Sequence, residues 1–334
     1  MPDPRAGGCP FLRCTYARTV LEAADAAAIA ERFSLGDGAA LSGPVARGEV
    51  GRVWRLSTSA GAFAVKEPFD PIPEHEVLEH ADYQEAAHAA GIPTPAVIRA
   101  ADGRPYADLG GVQVRVFEWI DLCERDANVD PVDVGTVVAT IHRLRFSGQL
   151  PVDPWYTEPV GSAGWDGLVE ALHAKGASFA SRLAAMRSEL VALEGLMEAP
   201  RDLQTCHRDL WADNVLRTPD NGLCVIDWEN CGLADPSQEL ALVLFEFGLG
   251  SVERARALYQ AYREEGGPGR IDRRGNFSML IAQLGHIGEN ACVRWLDPNE
   301  PAVERDRQVA RAEEFLAMPL TRGAIDELLD AVTS

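Results

Sequence analysis

Several features that define other classes of protein are missing from this sequence. No apolar run approaches the length of a membrane span, and the first residues lack the basic start and apolar core of a signal peptide. The seven cysteines are odd in number, widely scattered and form no C-x-x-C pair, which disfavours a disulfide framework or a zinc site. We therefore expect a soluble cytoplasmic protein with reduced thiols.

Positive charge is also scarce. Lysine and arginine number 31 against 51 aspartates and glutamates, which gives a formal net charge of -20. This balance argues against nucleic acid or an anionic membrane as a partner. It would attract a cationic ligand, although solubility alone explains many acidic surfaces.

Two common phosphate-binding signatures are absent. The sequence has no G-x-x-x-x-G-K-[ST] loop and no G-x-G-x-x-G that opens a helix, which sets aside phosphate binding by a Walker A loop and disfavours a dinucleotide-binding fold. At 334 residues and 46% hydrophobic composition, the chain is long enough for one large domain or two lobes.

The hydrophobic pattern predicts an α+β protein with a boundary near residue 120. Apolar runs at 39–45, 53–57 and 62–66 are spaced like a strand meander, a helix is predicted over 74–90, and runs at 96–100 and 112–120 complete a sheet of about five strands. The rest is predicted to be mostly helical, at 130–145, 164–198, 236–248, 251–265, 272–295, 303–317 and 321–332. Short strands are predicted only at 204–207, 215–217 and 223–227.

Three polar residues follow or precede the short strands of the second half. His207-Arg208-Asp209 and Asn214 have the H-R-D-L-x-x-x-N spacing of a kinase catalytic loop, and Asp227 ends the next strand. Phosphoryl transfer needs a carboxylate that orients the attacking hydroxyl and oxygen ligands for Mg²⁺. Asp209 fits the first role, whereas Asn214 and Asp227 fit the second. Each residue alone is common in turns, but the joint pattern favours the chemistry.

The same chemistry predicts a phosphate-binding lysine in the first half. Lys66 closes the run Phe63-Ala64-Val65 on the third predicted strand, in a V-A-I-K-like context. A helix carboxylate should pair with it, and Glu79 is preferred because it lies on the mostly apolar helix face, with Glu76 second. Gly48 and Gly51, in the loop before the second strand, would let the backbone approach a nucleotide closely, although a tight hairpin explains them equally well.

Four features follow one another along the chain: Lys66, the helix glutamate, the H-x-D-x-x-x-x-N motif and Ile226-Asp227-Trp228. In this order they resemble the aminoglycoside phosphotransferase and choline kinase-like family. The resemblance covers about residues 40–300. It implies the two-lobed protein-kinase-like fold: a small antiparallel-sheet lobe with one main helix that binds the nucleotide (1–120), and a larger helical lobe with the catalytic loop and the acceptor site (121–334). Arg208 stands where antibiotic kinases more usually have glycine.

A protein kinase is disfavoured by the residues after Asp227. No D-F-G follows, and Asp235-Pro236 soon opens an apolar helix, which leaves no room for a peptide-docking activation segment. We expect Mg²⁺-dependent transfer of the γ-phosphate of ATP or GTP to a hydroxyl of a small cationic molecule, with an aminoglycoside or basic peptide antibiotic preferred. A metabolic kinase acting on choline, homoserine or a similar molecule, and an inactive nucleotide-binding module, are the alternatives.

The acceptor would lie against the helical lobe. The helix at 272–295 carries Gln283, His286, Glu289 and Asn290 opposite its apolar stripe. A solvated face explains these residues as well as an acceptor site does. If the acceptor is cationic, Glu289 and Glu229 are the carboxylates expected to contact it.

Overall fold

The computed structural model describes residues 20–48, 50–317 and 320–333. Two of the seven cysteines, Cys9 and Cys14, and the start of the predicted first lobe lie outside these residues. Among the described helices, none is both long and apolar enough to cross a membrane.

Strands outnumber helices in the first third of the described chain, and helices dominate the rest. The α-helices are α1 (Ala26–Arg32), α2 (Glu74–Ala89), α3 (Pro131–Arg143), α4 (Gly161–Lys175), α5 (Ala180–Glu194), α6 (Pro236–Gly248), α7 (Val252–Glu264), α8 (Ser278–Leu296), α9 (Ala302–Leu316) and α10 (Arg322–Thr333). The strands are β1 (Ala40–Arg47), β2 (Gly51–Thr58), β3 (Gly61–Pro68), β4 (Val97–Ile98), β5 (Ala107–Leu109), β6 (Val112–Glu118), β7 (Gln204–Cys206), β8 (Val215–Arg217), β9 (Leu223–Val225) and β10 (Gly232–Ala234). Turns of 3₁₀ helix lie at Ala23–Asp25, Pro154–Tyr156, Trp228–Asn230 and Arg274–Phe277.

The chain forms two compact units. Of the described residues, the first unit contains those up to Ile72 together with Ile98–Trp119, and the second contains Pro73–Val97 and those from Ile120 onward. By its contacts α2 therefore belongs to the second unit, although the sequence placed it in the first lobe. The assignment of one lobe to the nucleotide and the other to the acceptor stays a prediction.

The first unit is built on an antiparallel sheet. The strand order is β1-β2-β3-β6-β4, and β5 pairs with β6. Lys66 lies on β3 opposite Val53 of β2 and Arg115 of β6, so its backbone is held in the middle of the sheet. Successive side chains of a strand point to opposite faces of the sheet. Val65, the neighbour of Lys66, thus lies on the other face and is fully buried. The three-residue strand β5, which the sequence did not indicate, makes this a six-stranded sheet.

The second unit surrounds α6. This helix is apolar on nearly all sides, and its residues from Leu240 to Phe245 are buried, as expected for a helix packed inside a helical lobe. The short hairpins β7–β10 and β8–β9 lie in the same unit, and both pairs are antiparallel. The prediction of an α+β protein with an antiparallel sheet is confirmed.

The prediction for the second unit differs from the structure at two places. The segment 164–198 is two helices, because Gly176 adopts a left-handed conformation (φ 72°) that ends α4, and α5 begins at Ala180. Strand β10 was missed, since a three-residue strand that begins with glycine carries no periodic signal. It pairs with β7, with Gly232 opposite Cys206.

The packing of α3 on α7 depends on Gly135. A Cβ atom at this position would overlap the carbonyl oxygen of Leu258 and lie 3.1 Å from both the Ala261 Cβ and the Tyr262 nitrogen. Because backbone atoms of α7 block the space, we expect Gly135→Ala to lower the free energy of unfolding by about 2 kcal/mol or more, measured by urea denaturation.

Gly167 on α4 is the matched control for this substitution. Its position is exposed, and a Cβ atom there would meet no atom within 4 Å. Gly167→Ala should raise the stability by up to about 1 kcal/mol, the difference in helix propensity. Equal effects of the two substitutions would contradict the close approach of α3 and α7.

Candidate active site

Two short strands of the second unit position the predicted catalytic residues. His207, Arg208 and Asp209 directly follow β7, and Asp227 lies two residues beyond the end of β9. The segments are joined by hydrogen bonds, because the Ile226 nitrogen donates to the Asn214 carbonyl oxygen at 2.9 Å and the His207 Nε2 lies 3.1 Å from the Ile226 carbonyl oxygen. The sequence motif therefore folds into one loop cluster.

Three side-chain amides surround the carboxylate of Asp209. Its Oδ2 accepts from the Nδ2 atoms of Asn214 at 2.8 Å and Asn230 at 3.0 Å. The nearest amide donor to Oδ1 is the Nε2 of Gln283, at 3.4 Å. Oδ2 is thus committed to two short hydrogen bonds. Oδ1, with one long contact, is the oxygen able to receive a proton from an acceptor hydroxyl.

The environment of Asp209 raises its pKa to about 7. Burial is the largest cause, and the negative charge of Asp227 adds to it, while the hydrogen bonds from Asn230 and Asn214 act in the opposite direction. A general base works best when its pKa lies near the working pH. Asp209 is therefore suited to accept a proton at neutral pH.

Asn214 and Asp227 fit the predicted metal site. The Asn214 Nδ2 is held by the Asp209 backbone oxygen as well as by its carboxylate, both at 2.8 Å, so the amide turns its carbonyl oxygen elsewhere. That oxygen and the Asp227 carboxylate are the hard ligands that Mg²⁺ prefers. Asp209 and Asp227 are also close enough to repel each other, and a bound cation would relieve this repulsion.

Arg208 has a structural explanation in this loop. Its backbone is left-handed (φ 66°), a conformation that glycine adopts more readily. Its guanidinium donates to the carbonyl oxygens of Asn230 at 2.6 Å and Cys231 at 3.0 Å, and it lies 4.5 Å from the centre of the Tyr156 ring. The arginine thereby fixes the segment that carries Asn230.

The predicted nucleotide-binding residues Lys66, Gly48 and Gly51 all lie in the first unit. The Lys66 Nζ lies 5.5 Å from the centre of the Phe117 ring. A Cβ atom at Gly51 would come within 2.6 Å of the Glu67 carbonyl oxygen, so strand packing is sufficient to explain this glycine. A Cβ atom at Gly48 would meet no described atom within 4 Å. Their role in binding a nucleotide stays a prediction.

Glu79 makes hydrogen bonds inside the second unit. Its carboxylate accepts from the backbone nitrogens of Gln149 at 2.7 Å and Leu150 at 2.9 Å. The buried residues of α2 include Val77, Gln84 and Ala87, whereas Glu79 itself is half-buried. The ion pair of Glu79 with Lys66 stays a prediction, as does the alternative with Glu76, whose side chain is 38% exposed.

The acceptor candidates have different surroundings. Glu229 is half-buried in the 3₁₀ turn after Asp227. The Glu289 carboxylate bonds to the His286 Nδ1 at 2.8 Å, and the His286 ring stacks on Trp155 at 5.2 Å. Burial lowers the pKa of His286, but the hydrogen bond and charge of Glu289 outweigh it and raise the pKa above its usual value. Protonated His286 would thus offset part of the Glu289 charge.

Sequence reasoning missed the importance of three residues. Asn230 and Gln283 reach the Asp209 carboxylate, and Glu239 is a fully buried carboxylate that contacts the Arg208 nitrogen. Of the two explanations left open for this helix face, a solvated surface does not apply to Gln283, which is only 3% exposed. The available signal was its place among the polar residues of α8, but a single helix does not reveal which of its faces another element covers.

Comparison with known proteins agrees with the phosphotransfer chemistry that the site geometry indicates. A sequence profile described as "Phosphotransferase enzyme family" matches residues 43–273, which is well over half of the chain. The chain belongs to this phosphotransferase family. The suspected relationship is confirmed at the level of the family. The search of curated proteins gives no significant sequence match.

Solved structures of the family share the fold at low sequence identity. A spectinomycin phosphotransferase in complex with ADP and spectinomycin has a TM-score of 0.63 at 14% identity, over 94% of this chain and 99% of that chain. An amicoumacin kinase with AMP-PNP and Ca²⁺ has a TM-score of 0.59 at 13% identity, over 90% and 95% of the two chains. A microcompartment-associated aminopropanol kinase has a TM-score of 0.57 at 17% identity, over 88% and 95%. The predicted kinase-like fold is confirmed.

Asp209 should destabilise the metal-free protein above neutral pH. Its pKa is raised from 3.8 to about 7 on folding, so the folded state binds more protons than the unfolded state between these values, and stability falls as pH rises through this window. Because asparagine cannot ionise, Asp209→Asn should be more stable than the natural protein at pH 8 by about 2 to 4 kcal/mol. The gain should shrink towards pH 4.

Thermal denaturation in EDTA at pH 5 and pH 8 tests this expectation. Asp209→Asn should melt at least roughly 4 °C higher than the natural protein at pH 8, with a smaller difference at pH 5. Asp202→Asn, at an exposed position of the same unit, is the control and should show no such pH dependence. A lower melting temperature of Asp209→Asn at pH 8 would be inconsistent with a raised pKa.

Proposed function

We propose that the protein transfers the γ-phosphate of ATP or GTP to a hydroxyl of a small cationic molecule, most readily an antibiotic of the aminoglycoside or basic peptide type. The observation that carries the proposal is the environment of Asp209. A buried carboxylate with a pKa of about 7 has one oxygen held by Asn214 and Asn230 and the other open to a proton.

In the proposed reaction the chain positions and deprotonates the acceptor. Asp209 Oδ1 orients the attacking hydroxyl and receives its proton, while the amides at Oδ2 hold the carboxylate in place. Asn214 and Asp227 would hold Mg²⁺, which when bound spreads the negative charge of the phosphates. Lys66, supported by Glu79, would contact the phosphates, and the backbone at Gly48 and Gly51 would cover them.

The donor and the cation are supported by the relatives. One solved relative was crystallised with ADP and another with AMP-PNP and Ca²⁺. We infer a nucleoside triphosphate donor and a divalent cation for this chain as well. Mg²⁺ is the cation proposed, because the two residues at the site offer a carboxylate and an amide oxygen.

The acceptor class is proposed from charge. The net charge of -20 and the carboxylates Glu229 and Glu289 favour a cation. The names of two relatives refer to spectinomycin and amicoumacin, which supports an antibiotic, while a third refers to aminopropanol, which supports a metabolic amino alcohol as the second candidate. An inactive module is disfavoured, because Lys66, Asp209, Asn214 and Asp227 are all present.

Nucleotide turnover against a panel of acceptors tests the proposal. ADP release from Mg·ATP and GDP release from Mg·GTP would be measured with spectinomycin, kanamycin, a cationic peptide antibiotic, a macrolide, choline, homoserine and 1-amino-2-propanol. We expect one strong acceptor, and Asp209→Asn should reduce its turnover at least about 100-fold while nucleotide affinity changes little. Asp202→Asn should behave like the natural protein.

Each outcome of the panel has a definite meaning. Unchanged turnover in Asp209→Asn would remove Asp209 from the mechanism. If no acceptor gives ADP or GDP release and no Mg²⁺-dependent nucleotide binding is found, the inactive module would be the better description. If no acceptor is phosphorylated but the nucleotide binds tightly, and this binding is lost in Asp227→Asn, the kinase proposal would stand and the acceptor would lie outside the panel.

The proposed role of Gly48 gives a separate prediction. Because no described atom lies within 4 Å of a Cβ atom there, Gly48→Val should fold normally. If the backbone of the loop approaches the phosphates, the added side chain should weaken Mg·ATP binding at least about tenfold, measured by isothermal titration. Ser57→Val, at an exposed position of β2, is the control. Equal affinity in both variants would exclude a close approach at Gly48.

A further inference from the structure

Gln283 combines two properties that a packing residue does not need. Its side chain is 3% exposed in the middle of α8, and its Nε2 lies 3.4 Å from Asp209 Oδ1. Its carbonyl oxygen Oε1 is buried and has no hydrogen-bond partner among the described residues. Buried polar atoms are nearly always hydrogen-bonded, and leaving one without a partner costs free energy.

The orientation of this amide follows from its neighbour. Asn214 and Asn230 also turn their amino groups towards the Asp209 carboxylate. With Asp209 ionised, as a proton-accepting base must be, the opposite orientation of Gln283 would place its carbonyl oxygen against a carboxylate oxygen, and the two oxygens would repel each other. The nitrogen therefore faces Asp209 and Oε1 is the atom left over.

We propose that Gln283 binds the acceptor, and that its Oε1 accepts a hydrogen bond from a donor on the carbon next to the reacting hydroxyl. This inference rests on the proposed kinase function. When the acceptor hydroxyl takes Asp209 Oδ1, it displaces the long contact of the Gln283 amide. The terminal torsion of glutamine is soft, so the amide can then rotate and present Oε1 to the second donor. Oε1 loses no hydrogen bond in this rotation, because it has no partner among the described residues beforehand.

The two oxygens define a class of acceptor. Nε2 and Oε1 of Gln283 share one carbon, so Oε1 lies no farther than about 6 Å from Asp209 Oδ1. Two hydrogen-bond acceptors this close fit a molecule with donors on adjacent carbons, which is a vicinal diol or a vicinal amino alcohol. Because Oε1 is neutral, either a hydroxyl or an ammonium group satisfies it.

Beside the reacting hydroxyl, α8 supports recognition by hydrogen bonding, because its nearest carboxylate, that of Glu289, lies farther along the helix. His286 lies three residues beyond Gln283, on the same side of the helix. It bonds to the Glu289 carboxylate and to the Glu158 carbonyl oxygen and stacks on Trp155. The carboxylate nearest along this face is thus already engaged, and the neutral Gln283 is the group beside Asp209.

Three small alcohols test the proposal, because they differ only at the neighbouring carbon: 1-amino-2-propanol, 1,2-propanediol and 2-propanol. With saturating Mg·ATP, we expect the first two to have kcat/KM values at least tenfold above that of 2-propanol in the natural protein. Phosphate transfer would be measured by ADP release and by ³¹P NMR of the product.

Variants at Gln283 distinguish binding from a structural role. Gln283→Met keeps the size of the side chain but loses the amide. Its kcat/KM values for the first two alcohols should therefore fall to about its value for 2-propanol. Gln283→Glu should favour 1-amino-2-propanol over 1,2-propanediol at least tenfold more than the natural protein does, because a carboxylate prefers the ammonium. Gln260→Leu, which removes an exposed amide of α7, should keep the natural preferences.

The outcomes separate the two proposals. An equal fall in kcat for all three alcohols, with their ratios unchanged, would overturn acceptor binding by Gln283 and leave it a packing or positioning residue. If the natural protein phosphorylates only a larger molecule of the panel, an unchanged kcat/KM of Gln283→Met for that molecule overturns the inference. Absence of transfer from the natural protein to every molecule, together with no Mg²⁺-dependent nucleotide binding, removes the proposed function, and the inference with it.

Discussion

The loop that contains Asp209 depends on one buried carboxylate. Glu239 of α6 is fully buried, and it accepts hydrogen bonds from the Arg208 nitrogen and from His142 Nε2, the latter at 2.7 Å. Burial raises the pKa of Glu239, but the hydrogen bond and charge of His142 outweigh it and hold the pKa below its usual value. A buried charge is stable only when it is fully paired. Glu239 meets this condition by fixing the backbone beside Asp209.

The support of this carboxylate extends to other elements. His142 Nδ1 lies 2.8 Å from the hydroxyl of Tyr262, which accepts from the Gly269 nitrogen at 2.8 Å. These hydrogen bonds also explain why His142 and Glu239 cluster with Cys206 in a buried group resembling a metal site. Helices α3, α6 and α7 are thereby linked through polar contacts that tolerate little rearrangement. These contacts of the helical core therefore fix the geometry of the loop after β7.

Unfavourable features concentrate around the proposed reaction centre. Arg208 and Asp227 both have left-handed backbones, Asp209 is a buried acid whose pKa is raised by its surroundings, and Gln283 has a buried oxygen without a partner among the described residues. Each of these lowers stability, and active sites are where proteins retain such features. A bound cation would offset the repulsion between Asp209 and Asp227, and a bound acceptor would satisfy Gln283.

Local spacing was sufficient to predict that Asp209, Asn214 and Asp227 lie close together, because a strand, a loop and a strand join them whatever packs around them. Strand and helix periodicity likewise determined most elements, including the strand that ends near Lys66. The tertiary structure decided what depends on packing between distant elements. Gln283 is 74 residues from Asp209 along the chain, and only the placement of α8 turns it from a polar helix residue into a neighbour of the Asp209 carboxylate.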